Sequence, residues 1–137
     1  MKKLLIVICL INTLSCTKNN NETTSISKGI VGTIKYGKGD CMPIIDEASR
    51  TYTNFNGTLY FILKSDLENL GDGDFEQLKL NSLNTIIKNG KLNFELPNGT
   101  YLIMPEDIYQ YSDENTINIE NGVIIKKDLF FWKCTSY

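Results

Sequence analysis

The chain has 137 residues, 42% apolar and 22% charged, which suits one folded domain and is too lightly charged for a disordered polyelectrolyte. Sixteen acidic against fourteen basic residues give a formal charge of −2, and no basic stripe is present, so nucleic acid is excluded as a partner. There is no histidine, which removes Ser-His-Asp and Cys-His catalysis, most catalytic zinc sites and the usual base near neutral pH.

Carboxylate, lysine and tyrosine chemistry stay open, but no catalytic motif stands out; the expectation is a protein that is not an enzyme, with no cofactor and no metal. In chain order, Met1 is followed by Lys2 and Lys3 and then by an apolar run from Leu4 to Ile11. A positive start ahead of roughly ten apolar residues is the pattern of a secretory signal, whereas a spanning helix needs about twenty. Asn12 and Thr13 interrupt the run, and Leu14-Ser15-Cys16 follows. This resembles the signal of bacterial lipoproteins, in which cleavage falls after a small residue, here Ser15, and the next cysteine carries diacylglycerol. Leu14 stands two residues before that cysteine, where three is usual.

The resemblance implies a signal peptide over 1–15, lipidation at Cys16, a membrane partner through that lipid, and a place in the cell envelope. Thr17, where an aspartate retains some lipoproteins at an inner membrane, implies the outer one. An ordinary signal with a chance cysteine is the competing reading. Residues 16–28 are polar and nearly free of large apolar side chains, so they read as a flexible tether. Ser25-Ile26-Ser27-Lys28 matches a Ser-x-x-Lys string by chance within it.

The remaining residues, 29–137, read as one β domain. Ile30, Gly32, Ile34 and Tyr36 alternate with Val31, Thr33 and Lys35. Leu59-Tyr60-Phe61-Ile62-Leu63 is apolar on both faces and predicts a covered central strand. A short helix is expected over Asp66–Leu70, capped by Ser65 with Glu68 three residues on. Leu92, Phe94 and Leu96 alternate with Asn93 and Glu95, and Tyr101–Met104, Thr116–Glu120, Val123–Lys126 and Leu129–Cys134 complete the strands, with a loop over Tyr109–Glu114. Asn-Gly pairs at 56–57, 89–90, 98–99 and 121–122 supply residues that tolerate positive φ, as tight hairpins require. Short strands with such turns predict a sandwich or barrel.

Of four cysteines, Cys9 leaves with the signal and Cys16 takes the lipid, which leaves Cys41 and Cys134. In a compartment that permits oxidation they are expected to form a disulfide between an early loop and the last strand; two free thiols are the other reading.

Gly90-Lys91-Leu92-Asn93-Phe94-Glu95-Leu96-Pro97-Asn98-Gly99-Thr100-Tyr101-Leu102-Ile103 resembles a hairpin of prealbumin-like sandwich domains, which include the carboxypeptidase regulatory-like and Cna-B families. An early Gly29-x-Val31 and Gly57-Thr58-Leu59-Tyr60-Phe61 suit them too. The resemblance implies an all-β, antiparallel Greek-key sandwich of about seven strands with at most one short helix, acting as a spacer, adhesive stalk or accessory module. Residues 37–56 have no counterpart in that pattern, so a specific site is sought there first.

Two functions follow from different features. The first is a non-catalytic, lipid-anchored envelope module that binds a protein or serves as a structural element. The second is a carbohydrate-binding lipoprotein that stacks sugars on loop aromatics, with Tyr52, Phe55, Tyr109 and Tyr111 as candidates. In Phe130-Phe131-Trp132, strand alternation sends Phe131 to one face and Trp132 to the other. The acidic stretch 66–76 could offer oxygens to calcium but does not complete a calcium-loop pattern, so it reads as a solvated turn. Asp46 and Glu47 are neighbours without an assigned role, and the Asn-x-Thr strings at Asn21, Asn56 and Asn98 read as spacer and turn residues.

Overall fold

The structure, a computed structural model, describes residues 25–41, 47–109 and 112–135. The elements are β1 (Gly29–Gly39), β2 (Thr53–Asn54), β3 (Gly57–Leu63), α1 (Lys64–Asn69), α2 (Phe75–Asn81), β4 (Leu83–Ile87), β5 (Lys91–Glu95), β6 (Gly99–Pro105), β7 (Thr116–Ile119), β8 (Ile124–Lys126) and β9 (Leu129–Cys134). They form two sheets, one ordered β4-β3-β6-β7 and the other built on β1, which pairs with β2, β5, β8 and β9. The expected β sandwich is what the chain forms. β8 and β9 keep one register along β1, from Gly29 opposite Ile124 to Gly39 opposite Cys134, and β2 is only a two-residue flank. The segments therefore reduce to seven lines of chain. Unrolled across the sheets, β6-β3-β4-β5 is a Greek key, three successive strands with the fourth returning beside the first.

β1 is long because it serves two partners on each edge. Its first half pairs antiparallel with β5 and its second half with β2. The change of partner is made at Ile34, whose N–H donates to Gly90 O at 2.8 Å and whose carbonyl accepts from Phe55 N–H at 3.0 Å. On the other edge β8 and β9 run parallel to β1, so the sandwich is not antiparallel throughout, as the resemblance had implied. The chain crosses between sheets after β7, at Asn121-Gly122, and that crossing delivers the last strands beside β1 in its own direction. Alternation of side chains is the same in both pairings and carries no sign of strand direction. Between β8 and β9, the Asp128 carboxylate takes the Thr33 N–H at 2.8 Å and its hydroxyl at 2.7 Å, in place of a carbonyl.

The core lies between the sheets. Ile30, Ile34, Leu59, Phe61, Leu96, Tyr101, Ile103, Leu129 and Phe131 meet there. The outer face of the β3–β6 pair is apolar as well, with Ile62, Leu102 and Met104 buried under Leu67, Phe75 and Leu78 of the helices. That third layer explains the unbroken Leu59–Leu63 run, and each such side chain contributes roughly 1.5–3 kcal/mol on burial. Two helices stand where at most one was expected. Ser65 lies inside α1 and caps nothing; the side-chain cap belongs to α2, where Asp74 accepts from Glu76 N–H at 2.9 Å and Gln77 N–H at 3.3 Å.

One Asn-Gly pair makes a tight turn, closed by a single bridge between Lys88 and Lys91. Asn89 and Gly90 both have positive φ, 52° and 68°, and turn β4 into β5. Asn56 instead aims its side chain at that turn, accepting the Asn89 N–H at 2.7 Å, while Asn98 donates to Asn121 at 2.6 Å at the opposite end. Residues 90–103 form no hairpin within one sheet, because β5 and β6 lie in opposite sheets. Their connection is a corner: Leu96 is buried and the Tyr101 hydroxyl donates to Pro97 O at 3.1 Å.

Cys41 and Cys134 form the expected disulfide, with a sequence separation of 93. It joins the segment after β1 to the end of β9. Closing a loop of about ninety residues removes unfolded-state entropy worth roughly 4–5 kcal/mol in the chain-entropy account. The double substitution Cys41→Ala/Cys134→Ala is expected to lower unfolding stability by up to about that amount, read as a drop in the denaturant midpoint, and reductant should then have no further effect.

Candidate functional site

Alternation along β9 sends Leu129 and Phe131 into the core and Phe130 and Trp132 to the outer face. Trp132 lies against two glycines of the neighbouring strand: a Cβ would come within 2.5 Å of its ring at Gly37 and 2.7 Å at Gly39. The spacing Gly37-x-Gly39 is thus a flat bed for one indole, an aromatic covering of strand glycines. Tyr52, in the segment leading to β2, stands edge-on to Trp132 and to Phe130, each at 5.6 Å between ring centroids. The Arg50 guanidinium lies 5.1 Å from the Trp132 ring centroid and 3.7 Å from Glu47. Phe130 is left 57% exposed at the top of the group.

The group stands on an open sheet edge. Among the described residues no strand pairs with β8 or β9 on the side away from β1. Lys127 and Thr135 turn their N–H groups to Val31 O and Gly39 O at 3.0 and 2.9 Å. The alternation between them directs the backbone groups of Phe130 and Trp132 outward.

A separate groove of about 850 Å³ opens at the end of the sandwich near β2 and the start of β3. In its wall Asp107 Oδ2 accepts from the Tyr36 hydroxyl at 2.6 Å and from Lys133 Nζ at 3.0 Å. Burial and the bond to Asp107 together push the Tyr36 phenol far above its ordinary range. Burial pushes the Asp107 carboxyl up, but the bonds from Tyr36 and Lys133 outweigh it and hold it below the usual carboxylate range. The carboxylate stays ionised and the phenol stays protonated, so the trio suits fixed hydrogen bonding rather than proton transfer near neutral pH.

Next to the groove Lys79 is 2% exposed. Its Nζ donates to Glu106 O and lies over Tyr109 at 4.3 Å and Tyr60 at 5.5 Å. Burial lowers its pKa, opposed by the charges of Glu76, Asp107 and Glu106. Lys79 ties α2 to the turn that carries Asp107.

Of the four rings expected to bind sugar, the three among the described residues do not form one platform. Tyr52 belongs to the β9 face, and Phe55 is core, 6% exposed and packed on Tyr36 at 5.6 Å. Tyr109 is exposed over Lys79 on the helix side, and Tyr111 lies outside the described residues. Cys16 and the signal lie outside them too. In the acidic stretch Asp74 is a helix cap, and among the described residues no group of three or more His, Cys, Asp or Glu side chains could hold a metal. Residues 37–56 supply Arg50 and Tyr52 to the aromatic face and Thr51 and Thr53 to the groove. Arg50 and the Tyr36–Asp107–Lys133 trio were not foreseen, since a long-range trio leaves no local pattern. Comparison with protein-family models, curated proteins and solved structures found no match.

Because the folded state holds the Asp107 proton less tightly than the unfolded chain does, its contribution is present above about pH 4 and is lost as pH falls through the lowered folded value. For Tyr36 the sign reverses: folded protein keeps a proton that the unfolded chain releases, so stability falls as pH rises above about 10. Unfolding midpoints measured across both ranges should show Asp107→Asn flattening the acid limb and Tyr36→Phe the alkaline one.

Proposed function

We propose that this chain is an exported, non-catalytic lipoprotein, held in the cell envelope by the lipid on Cys16, whose sandwich binds another envelope protein through the β9 edge. The observation that carries the binding reading is the group of Tyr52, Phe130, Trp132 and Arg50 standing beside a strand edge that is unpaired among the described residues. Tyrosine, tryptophan and arginine are the residues that most often dominate binding energy at protein interfaces, and an open edge offers backbone bonds to an extended segment. The export reading is supported by the Lys2-Lys3 start, the Leu4–Ile11 run and Ser15-Cys16, and by a disulfide suited to an oxidising compartment. Thr17 supports the outer membrane. A prealbumin-like relationship is supported by the Greek key and by the Leu96–Tyr101 corner. Sugar stacking on Tyr52, Phe55 and Tyr109 as one platform is disfavoured by their separation.

Proline at position 130 removes an outward N–H while leaving the β1 ladder intact, since edge strands accept proline on their open side. With the lipidated full chain as bait in envelope extract, Phe130→Ala should weaken capture of its partner about tenfold, or ~1.4 kcal/mol, and Phe130→Pro should abolish it. Both variants should keep the wild-type circular dichroism and disulfide. Capture indifferent to both substitutions would refute the edge as the contact. Mass spectrometry of the mature start, showing no acylated Cys16, would refute the anchor.

A further inference from the structure

The end groove is built differently from the aromatic face and touches it only at Gly37, whose other side lies under Trp132. Its volume of about 850 Å³ falls in the range of small-molecule sites. The charges in its wall cancel, Lys38 and Lys133 against Glu106 and Asp107, so it has no excess positive charge for phosphate and no excess negative charge for a cation. Of the ten other lining residues, six are threonine or asparagine. We propose that this groove binds a short neutral saccharide.

Thr51, Thr58 and Thr135 line it, and a threonine hydroxyl both donates and accepts, as sugar hydroxyls do. The amides behind them are tied into the fold. Asn54 accepts from Lys35 at 2.7 Å and donates to Asn89 at 2.8 Å, and Asn56 donates to Asn54 O at 3.2 Å. Such a wall is set before any ligand arrives, which lowers the ordering cost of binding. Tyr36 and Lys133 both bond Asp107 through Oδ2, so Oδ1 lies outside these two bonds. An acceptor on Asp107 beside the ammonium donors of Lys133 matches two neighbouring sugar hydroxyls, one donating and one accepting. The Tyr36 ring lines the same space and gives the C–H face of a sugar ring an apolar surface.

The test is calorimetry and saturation-transfer NMR on the full chain. The probes are neutral disaccharides and trisaccharides of glucose, galactose, mannose and N-acetylglucosamine, with uronic-acid sugars and inorganic phosphate beside them. At least one neutral series should bind with Kd below about 1 mM. Thr135→Val and Asp107→Asn should each weaken it about tenfold or more, and Glu68→Gln, exposed on α1 and outside the groove lining, should leave it unchanged. Thr135 is exposed, so its substitution reads binding even where Asp107→Asn disturbs the fold. The proposal is overturned if no neutral sugar saturates the protein at about 10 mM, if phosphate or an acidic sugar binds more tightly, or if binding survives both groove substitutions. Partner capture is read on Phe130 and sugar binding on Thr135 and Asp107, so either reading can fall without the other.

Discussion

Every strand of the larger sheet is bonded to β1. β5 and β2 share one of its edges, β8 and β9 the other, and none of the four pairs with another strand among the described residues. Eleven residues therefore hold a whole layer, and the inward side chains of that strand, Ile30 and Ile34, are fully buried. The handover at Ile34 makes this possible, since one residue bonds the β4–β5 turn through its N–H and the segment before β3 through its carbonyl. Both proposed sites descend from the same strand. Its outer glycines seat Trp132, and its inward Tyr36 holds Asp107.

Much of the architecture is legible in the sequence because period-two patterns persist wherever one face meets the core. Leu92 and Leu96 point inward and Asn93 and Glu95 outward, as their alternation demands. β4 is hard to read because two of its three apolar residues contradict that rule: Leu83 is 44% and Ile86 71% exposed, and only Ile87 is core. α2 was hidden for a related reason. Its cap, Asp74, sits in an acidic stretch that reads equally well as a solvated turn, and its seven residues are too few to display a helical period.

Less of the candidate sites was legible. Tyr52 reads as a loop ring, and the parity of Phe130-Phe131-Trp132 puts rings on both faces of β9. Their convergence depends on the parallel register that places Trp132 opposite Gly37, a pairing set by the path of the chain. Phe55 shows the opposite case. It precedes an Asn-Gly pair and looks like a loop residue, yet Asn56 is spent on the neighbouring turn, and the ring is drawn into the core beside Tyr36.

The position of β1 also decides how the domain meets mechanical load. Tension applied to the chain ahead of Gly29 acts along the strand axis, against ladders on both flanks at once. Those bonds must slide together in shear; none can be peeled one after another from a free end. A molecule pulled from that terminus yields only when its central strand is withdrawn whole.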